Sequence, residues 1–193
     1  MAAKRGIREW ILLLPHALGR RLRHQWALAH ARRRSSARLQ AQTPRRLLVM
    51  CYGNIYRSPF VAAWLGMRLP ASLGFEIRSA GFHAVLARPS PPDYIRRVAD
   101  LGIDLGSHRS RLVAPADLEW ADVIVIMDRY NWERLQSFGA TVEDKIVWLG
   151  AFASAGPVEI EDPYALPAPQ VQAIVEQMRN AAEGLAQRLR ERT

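Results

Sequence analysis

Hydrophobic positions follow two rhythms along this chain, and the switch between them predicts its elements. Leu14, Leu18, Leu22 and Trp26 recur every fourth residue, the spacing of one face of an α-helix, and Pro15 suits that helix's first turn. Arg20, Arg21, Arg23 and the run Arg32–Arg34 surround the stripe. From Ser35 to Pro44 the rhythm lapses into a stretch that reads as a linker. This divides the chain into an N-terminal extension with its linker, residues 1–44, and a main domain, residues 45–193. Within the domain, short apolar runs at Leu47–Cys51, Phe75–Ser79, Asp122–Met127 and Lys145–Leu149 predict strands. Helical patterns lie between and after them, at Phe60–Leu69, Pro92–Leu101, Asn131–Phe138 and Ala168–Arg192. Ser58 is expected to cap the first of these, with Pro59 at the first helical position, and Gly102 to close the second. Strand alternating with helix predicts an α/β domain with a parallel sheet and helices on both faces. Ligands of such folds bind at the carboxyl ends of the strands, where Cys51 stands.

Composition narrows the function classes. With one Cys in 193 residues, an intramolecular disulfide framework and a Cys-rich zinc site are both excluded. The net charge of +9 is unevenly spread. Residues 1–46 hold twelve Lys and Arg against the single acid Glu9, a net +11, so the remaining residues carry −2. The main domain is therefore no basic nucleic-acid binder, and no nucleic-acid partner is expected. The apolar stretch Trp10–Leu14 is far short of the ~20 residues of a membrane span and short for a secretory signal. Three readings of the extension stand. It docks on an anionic membrane surface or an acidic partner through residues 1–40, it is a removable organelle-targeting peptide, or its helix packs on its own domain. The first is preferred for its amphipathic, Arg-rich character.

The chemistry is concentrated in Cys51-Tyr52-Gly53-Asn54-Ile55-Tyr56-Arg57-Ser58-Pro59, entered from a strand and left into a helix. A Cys six places before an Arg says little in a chain with 25 Arg. What lies between says more. Gly53 and Asn54 are the residue types that best tolerate left-handed backbone angles. A tight loop of this kind turns successive N–H groups inward as an anion-binding nest, and the following helix adds its positive end. Arg57 is suited to clamp two oxygens of a phosphate with its planar fork. The same field favours thiolate over thiol at Cys51, with the Ser58 hydroxyl as a further donor. A nucleophile and an oxyanion cradle thus come from nine residues, and in-line attack on a phosphoryl group would give a phosphocysteine that water hydrolyses. Asp162, in Glu161-Asp162-Pro163-Tyr164, is the candidate acid for the leaving oxygen, although Asp-Pro by itself reads as a turn.

Residues 51–59 resemble the phosphate-binding loop of the low-molecular-weight protein tyrosine phosphatases. Ser79-Ala80-Gly81, Gly102-Ile103-Asp104, His108-Arg109-Ser110-Arg111, Met127-Asp128 with Asn131, and Asp162-Pro163-Tyr164 follow in that family's order, so the resemblance spans residues 46–192. It implies a four-stranded parallel sheet flanked by helices, with no metal or organic cofactor. It assigns Cys51 as nucleophile, Arg57 as phosphate clamp and Asp162 as general acid and later base. The phosphate would be held by Tyr52, Gly53, Asn54, Ile55, Tyr56 and Ser58. Asn54 matches a strained loop residue supported by Ser79 and His108, and Tyr164 an aromatic wall of the cleft. The implied substrate is a phosphotyrosine-bearing protein, a bacterial tyrosine kinase among the candidates, and the implied location is the cytoplasm, peripheral at a membrane if the extension docks.

This chain departs from the family's pattern at several places. Tyr56 stands where a second loop cysteine is usual, so an oxidised Cys51 has no partner for a rescuing disulfide. Tyr52 replaces an aliphatic residue, Val85 a wall aromatic, for which Tyr52, Tyr56 and Phe82 would have to compensate, and Ala165 a second Tyr. Three competing readings remain. An arsenate reductase of this fold needs extra cysteines for its relay. A protein arginine phosphatase favours Thr at the position of Ile55. A catalytically silent phosphate-binding module would need neither Cys51 nor Asp162.

Overall fold

A computed structural model describes residues 16–192. Its centre is a four-stranded, wholly parallel sheet of β1 (Arg46–Cys51), β2 (Glu76–Gly81), β3 (Val123–Ile126) and β4 (Ile146–Trp148) in the order β2-β1-β3-β4. Every residue of β1 after Arg46 is buried, as are all of β3 and β4, which is why these strands read as continuous apolar runs rather than as alternating ones. Because side chains alternate across a strand, β1 feeds two cores. Leu47, Val49 and Cys51 face one layer with α2 (Arg57–Arg68) and α7 (Ala168–Arg190), and Leu48 and Met50 face the other. That second layer holds α4 (Pro115–Trp120), α5 (Arg129–Gln136), α6 (Ala140–Glu143) and part of α1 (His16–Ala41). The remaining helix, α3 (Pro92–Ala99), buries Tyr94 and Val98 in the first core.

Most of the expected elements are present with ends shifted by one to three residues, and the differences have physical causes. Ser58 does not cap α2. Its helix begins at Arg57, and the Ser58 hydroxyl turns instead to Cys51. The expected linker Ser35–Pro44 is helical as far as Ala41. The buried face of α1 is Ala31, Ser35 and Leu39, small or late in the helix, whereas Leu22 is exposed and Trp26 half-buried. Leu14, Pro15 and the side chain of Leu18 lie outside the described residues. The packing of α1 is substantial. The Trp148 amide donates to Ser35 Oγ at 3.1 Å, and Arg32 donates to the carbonyls of Ala151, Ala153 and Gly156. The helix therefore lies on β4 and the 3-10 turn Leu149–Phe152. The short helices α4 and α6 carry too few residues to show a period, and the apolar pattern does not predict them.

In this strand order β2 lies on one side of β1 and β3 on the other, so the chain leaves the ends of β1 and β3 in diverging directions and opens a crevice there. Cys51 ends β1, and Asp128 follows β3 by one residue beyond Met127.

Candidate active site

The loop between β1 and α2 is held with its carbonyls outward. Tyr52 O accepts from the amides of Phe82 and His83 at 2.8 and 3.1 Å. Gly53 O accepts from Arg88 Nη2 at 2.6 Å, and Asn54 O is 2.7 Å from His108 Nε2. Three consecutive peptide planes are thus pinned from outside, which turns the N–H groups that follow toward the interior of the loop. The Asn54 amide shows this directly, donating to Cys51 Sγ at 3.3 Å. Asn54 has φ of 50°, one of three non-glycine residues in the left-handed region among those described. Its side chain supports that conformation completely. Nδ2 donates to Ser58 Oγ at 2.9 Å and to Ser79 Oγ at 3.0 Å, and Oδ1 accepts from the Arg111 amide at 2.9 Å. Gly81 permits the close approach of β2, since a Cβ there would lie 2.6 Å from Tyr52 O.

Cys51 is 2% exposed, and its sulfur lies 3.0 Å from Ser58 Oγ. Arg57, fully buried, reaches three acceptors with its terminal nitrogens. Nη1 pairs with Asp128 and donates to Ile160 O at 2.9 Å, and Nη2 pairs with Asp162. Its Nε is buried with no partner among the described residues, a donor left for an anion in the loop. Burial acts to lower the Arg57 guanidinium, but the charges of Cys51, Asp128 and Asp162 outweigh it and hold the group above its ordinary range. Asp162, though 111 positions after Cys51 in sequence, comes to this cluster because Ile160 N bonds to Met127 O at 2.8 Å and lays the segment along the end of β3. Among the described residues, no group of three or more His, Cys, Asp or Glu is placed to hold a metal ion.

Cys51 forms the floor of a cleft of about 430 Å³ whose walls are Tyr52, Ile55, Tyr56 and Tyr164, with Asp162 at its side. Tyr56 packs edge-on against Tyr94, ring centroids 4.8 Å apart, and burial followed by the charge of Asp162 pushes its phenol up. Tyr52 meets His83 and Tyr130 edge-on at 5.4 and 5.1 Å, and Phe82 meets Tyr130 at 6.2 Å. Val85 is exposed and does not line the cleft; of the three aromatics expected to compensate for it, Tyr52 and Tyr56 line the cleft and Phe82 does not.

All the candidate residues named from the sequence therefore lie in or directly behind one cleft. Four others belong there that residue reasoning did not single out. Asp128 was visible only as part of a motif; its carboxylate both caps α5, accepting from the Asn131 amide at 2.9 Å, and pairs with Arg57. Arg88 and His83, in the segment after β2, and Tyr130, on α5, carry no local signal, since only the tertiary fold brings these two segments to the loop.

Comparison with known proteins agrees with this geometry. The family model for low molecular weight phosphotyrosine protein phosphatases matches residues 46–193. The chain is similar to a probable low molecular weight protein-tyrosine-phosphatase, EpsP, of Ralstonia nicotianae, 33% identical over 118 residues that cover 61% of this chain and 77% of that protein. Among solved structures it is similar to the YwlE arginine phosphatase from Geobacillus stearothermophilus, with TM-score 0.68 and 28% identity, covering 77% of this chain and 94% of that one. It is similar also to the tyrosine phosphatase Wzb from Escherichia coli K30 in complex with sulphate, with TM-score 0.69 and 25% identity over 76% and 99% of the two chains. With its sheet order, its loop and a family model spanning the whole region from β1 onward, the chain belongs to the low molecular weight phosphotyrosine protein phosphatase family.

Proposed function

We propose that this protein hydrolyses phosphotyrosine on proteins through a phosphocysteine intermediate on Cys51. The observation that supports it most is the convergence, at one cleft floor, of a buried cysteine sulfur, the inward Asn54 amide, an arginine with an Nε unpartnered among the described residues, and Asp162. The phosphoryl group sits in the loop, its oxygens on the amides and on Arg57. The Cys51 thiolate attacks phosphorus while the bond to the tyrosine oxygen breaks. Asp162, released from Arg57 as the phosphoryl oxygens take over the guanidinium, takes up a proton from solvent and gives it to that oxygen as the bond breaks. A water then attacks the phosphocysteine, Asp162 takes its proton, and inorganic phosphate leaves with the thiolate restored. Ser58 steadies the sulfur in both steps.

The test is turnover of para-nitrophenyl phosphate and of phosphotyrosine peptides. Cys51→Ser should abolish turnover. Asp162→Ala should lower kcat by about 10²- to 10⁴-fold while orthovanadate still binds. No turnover by the native chain at mildly acidic pH would overturn the reading in favour of a phosphate-binding module.

Likeness to the Geobacillus arginine phosphatase supports a second reading, phosphoarginine as substrate. The walls Tyr52, Tyr56 and Tyr164 favour an aromatic ring between them, and a panel of phosphotyrosine, phosphoserine and phosphoarginine peptides separates the two. The partner class that follows is a tyrosine-phosphorylated protein, a bacterial tyrosine kinase being one such substrate. We further propose that the basic extension brings the domain to an anionic membrane surface. No helix among the described residues is long and apolar enough to cross a membrane.

A further inference from the structure

Arg88 differs from the other buried or half-buried arginines of the site region. Arg57 pairs with Asp128 and Asp162, and Arg111 pairs with Asp117. Arg88 is half-buried and lines the cleft, yet its bonds go to two neutral carbonyls, Gly53 O at 2.6 Å through Nη2 and Val85 O at 3.3 Å through Nε. Among the described residues no carboxylate pairs with it. Two bonds fix the plane of the guanidinium, while Nη1 and one N–H of Nη2 have no partner among the described residues, on a side chain that lines the cleft. Beside it in the cleft wall stands His83, whose Nδ1 accepts from the Val85 amide at 3.1 Å; that bond places the ring proton on Nε2 and makes it a second donor. A preorganised, uncompensated fork and a neighbouring N–H form the geometry that receives a carboxylate.

We propose that Arg88, aided by His83, is a specificity-determining residue that binds the carboxylate of an Asp or Glu flanking the phosphorylated residue of the substrate. The inference rests on the phosphatase reading and names the substrate class within it, phosphorylated segments of acidic sequence. Asp162 lies in the same cleft, so the arrangement also disfavours a flanking Lys or Arg only where Arg88 faces it, and the preference is directional rather than a general attraction of anions.

The test compares kcat/KM for three phosphotyrosine peptides of one length whose flanking positions carry Glu, Gln or Lys. The native chain should prefer Glu to Gln by about three- to tenfold, a charge-assisted hydrogen bond discounted for partial exposure, and the ratio should shrink as salt is raised. Arg88→Gln should bring the ratio close to one, and Arg88→Lys should keep part of it, the charge without the fork. Arg88 also holds the loop carbonyl of Gly53, so its variants are expected to be slower on every substrate, and the ratio is the readout that a supporting role alone would leave unchanged. A native ratio near one, or a ratio that persists in Arg88→Gln, overturns the proposal while para-nitrophenyl phosphate turnover leaves the phosphatase reading standing. Absence of any turnover by the native chain overturns both.

Discussion

At the residue scale, the loop is a set of backbone orientations fixed by side chains from elsewhere. Asn54 is the clearest case: a left-handed residue with both ends of its amide occupied, held by Ser58 and Ser79 on one side and the Arg111 amide on the other. Arg111 is in turn held by Asp117, whose carboxylate is kept below its usual range because the Arg111 and Ala114 hydrogen bonds outweigh the opposing effect of burial. Tyr56 supplies a different kind of consequence. Cys51 is the chain's one cysteine, and Tyr56, wedged against Tyr94, fills the neighbouring place with a ring that cannot trap a sulfenic acid. Peroxide should therefore carry Cys51 past the sulfenic stage to sulfinic acid, seen as a gain of two oxygens by mass spectrometry. Activity should stay lost after dithiothreitol; full recovery would show that some other trap protects the sulfur. Much of this site was legible in sequence, because Cys51 to Pro59 are contiguous and their types state their conformations. Arg88 and Tyr130 were not, because nothing local distinguishes an arginine or tyrosine that meets the loop from one in solvent.

At the scale of elements, the strands were legible because β1, β3 and β4 are buried on both faces and so uniformly apolar. The continuation of α1 through Ser35 was not, for the converse reason. A run of Arg and Ser reads as solvated, yet here Ser35 is buried, its small side chain lets the helix approach β4, and Arg32 serves as a cap for a turn far away in sequence. Carbonyls at the end of a 3-10 turn lack intrahelical donors, and one guanidinium satisfies two of them, Ala151 and Ala153, together with Gly156 in the bend that follows. Arg32→Ala should accordingly cost about 1–3 kcal/mol, measured by thermal or urea unfolding at constant salt, with little change in kcat on para-nitrophenyl phosphate. An unchanged unfolding midpoint would mean that water replaces the guanidinium without loss and that α1 contributes little through this contact.

At the scale of the whole molecule, charge and architecture are separated along the chain but joined in space. The first 46 residues carry +11 and the rest −2, and the basic segment runs into a helix anchored on β4 rather than into a long flexible tether, since only residues 42–45 separate α1 from β1. An anionic surface that captured the extension would thus capture the catalytic domain in a restricted set of orientations, which a floppy linker would not impose. Each Lys or Arg near an anionic membrane contributes about 1 kcal/mol, so a triple replacement of Arg20, Arg21 and Arg23 by Gln should weaken vesicle binding by about two orders of magnitude at low salt. Sedimentation with phosphatidylserine-containing vesicles should show binding by the native chain, loss in the triple variant, and loss for both as ionic strength rises. Equal sedimentation with neutral phosphatidylcholine vesicles would remove electrostatic docking as the extension's role. Neither outcome touches the chemistry at Cys51, because the charge that governs the surface and the charge that governs the loop belong to different segments of the chain.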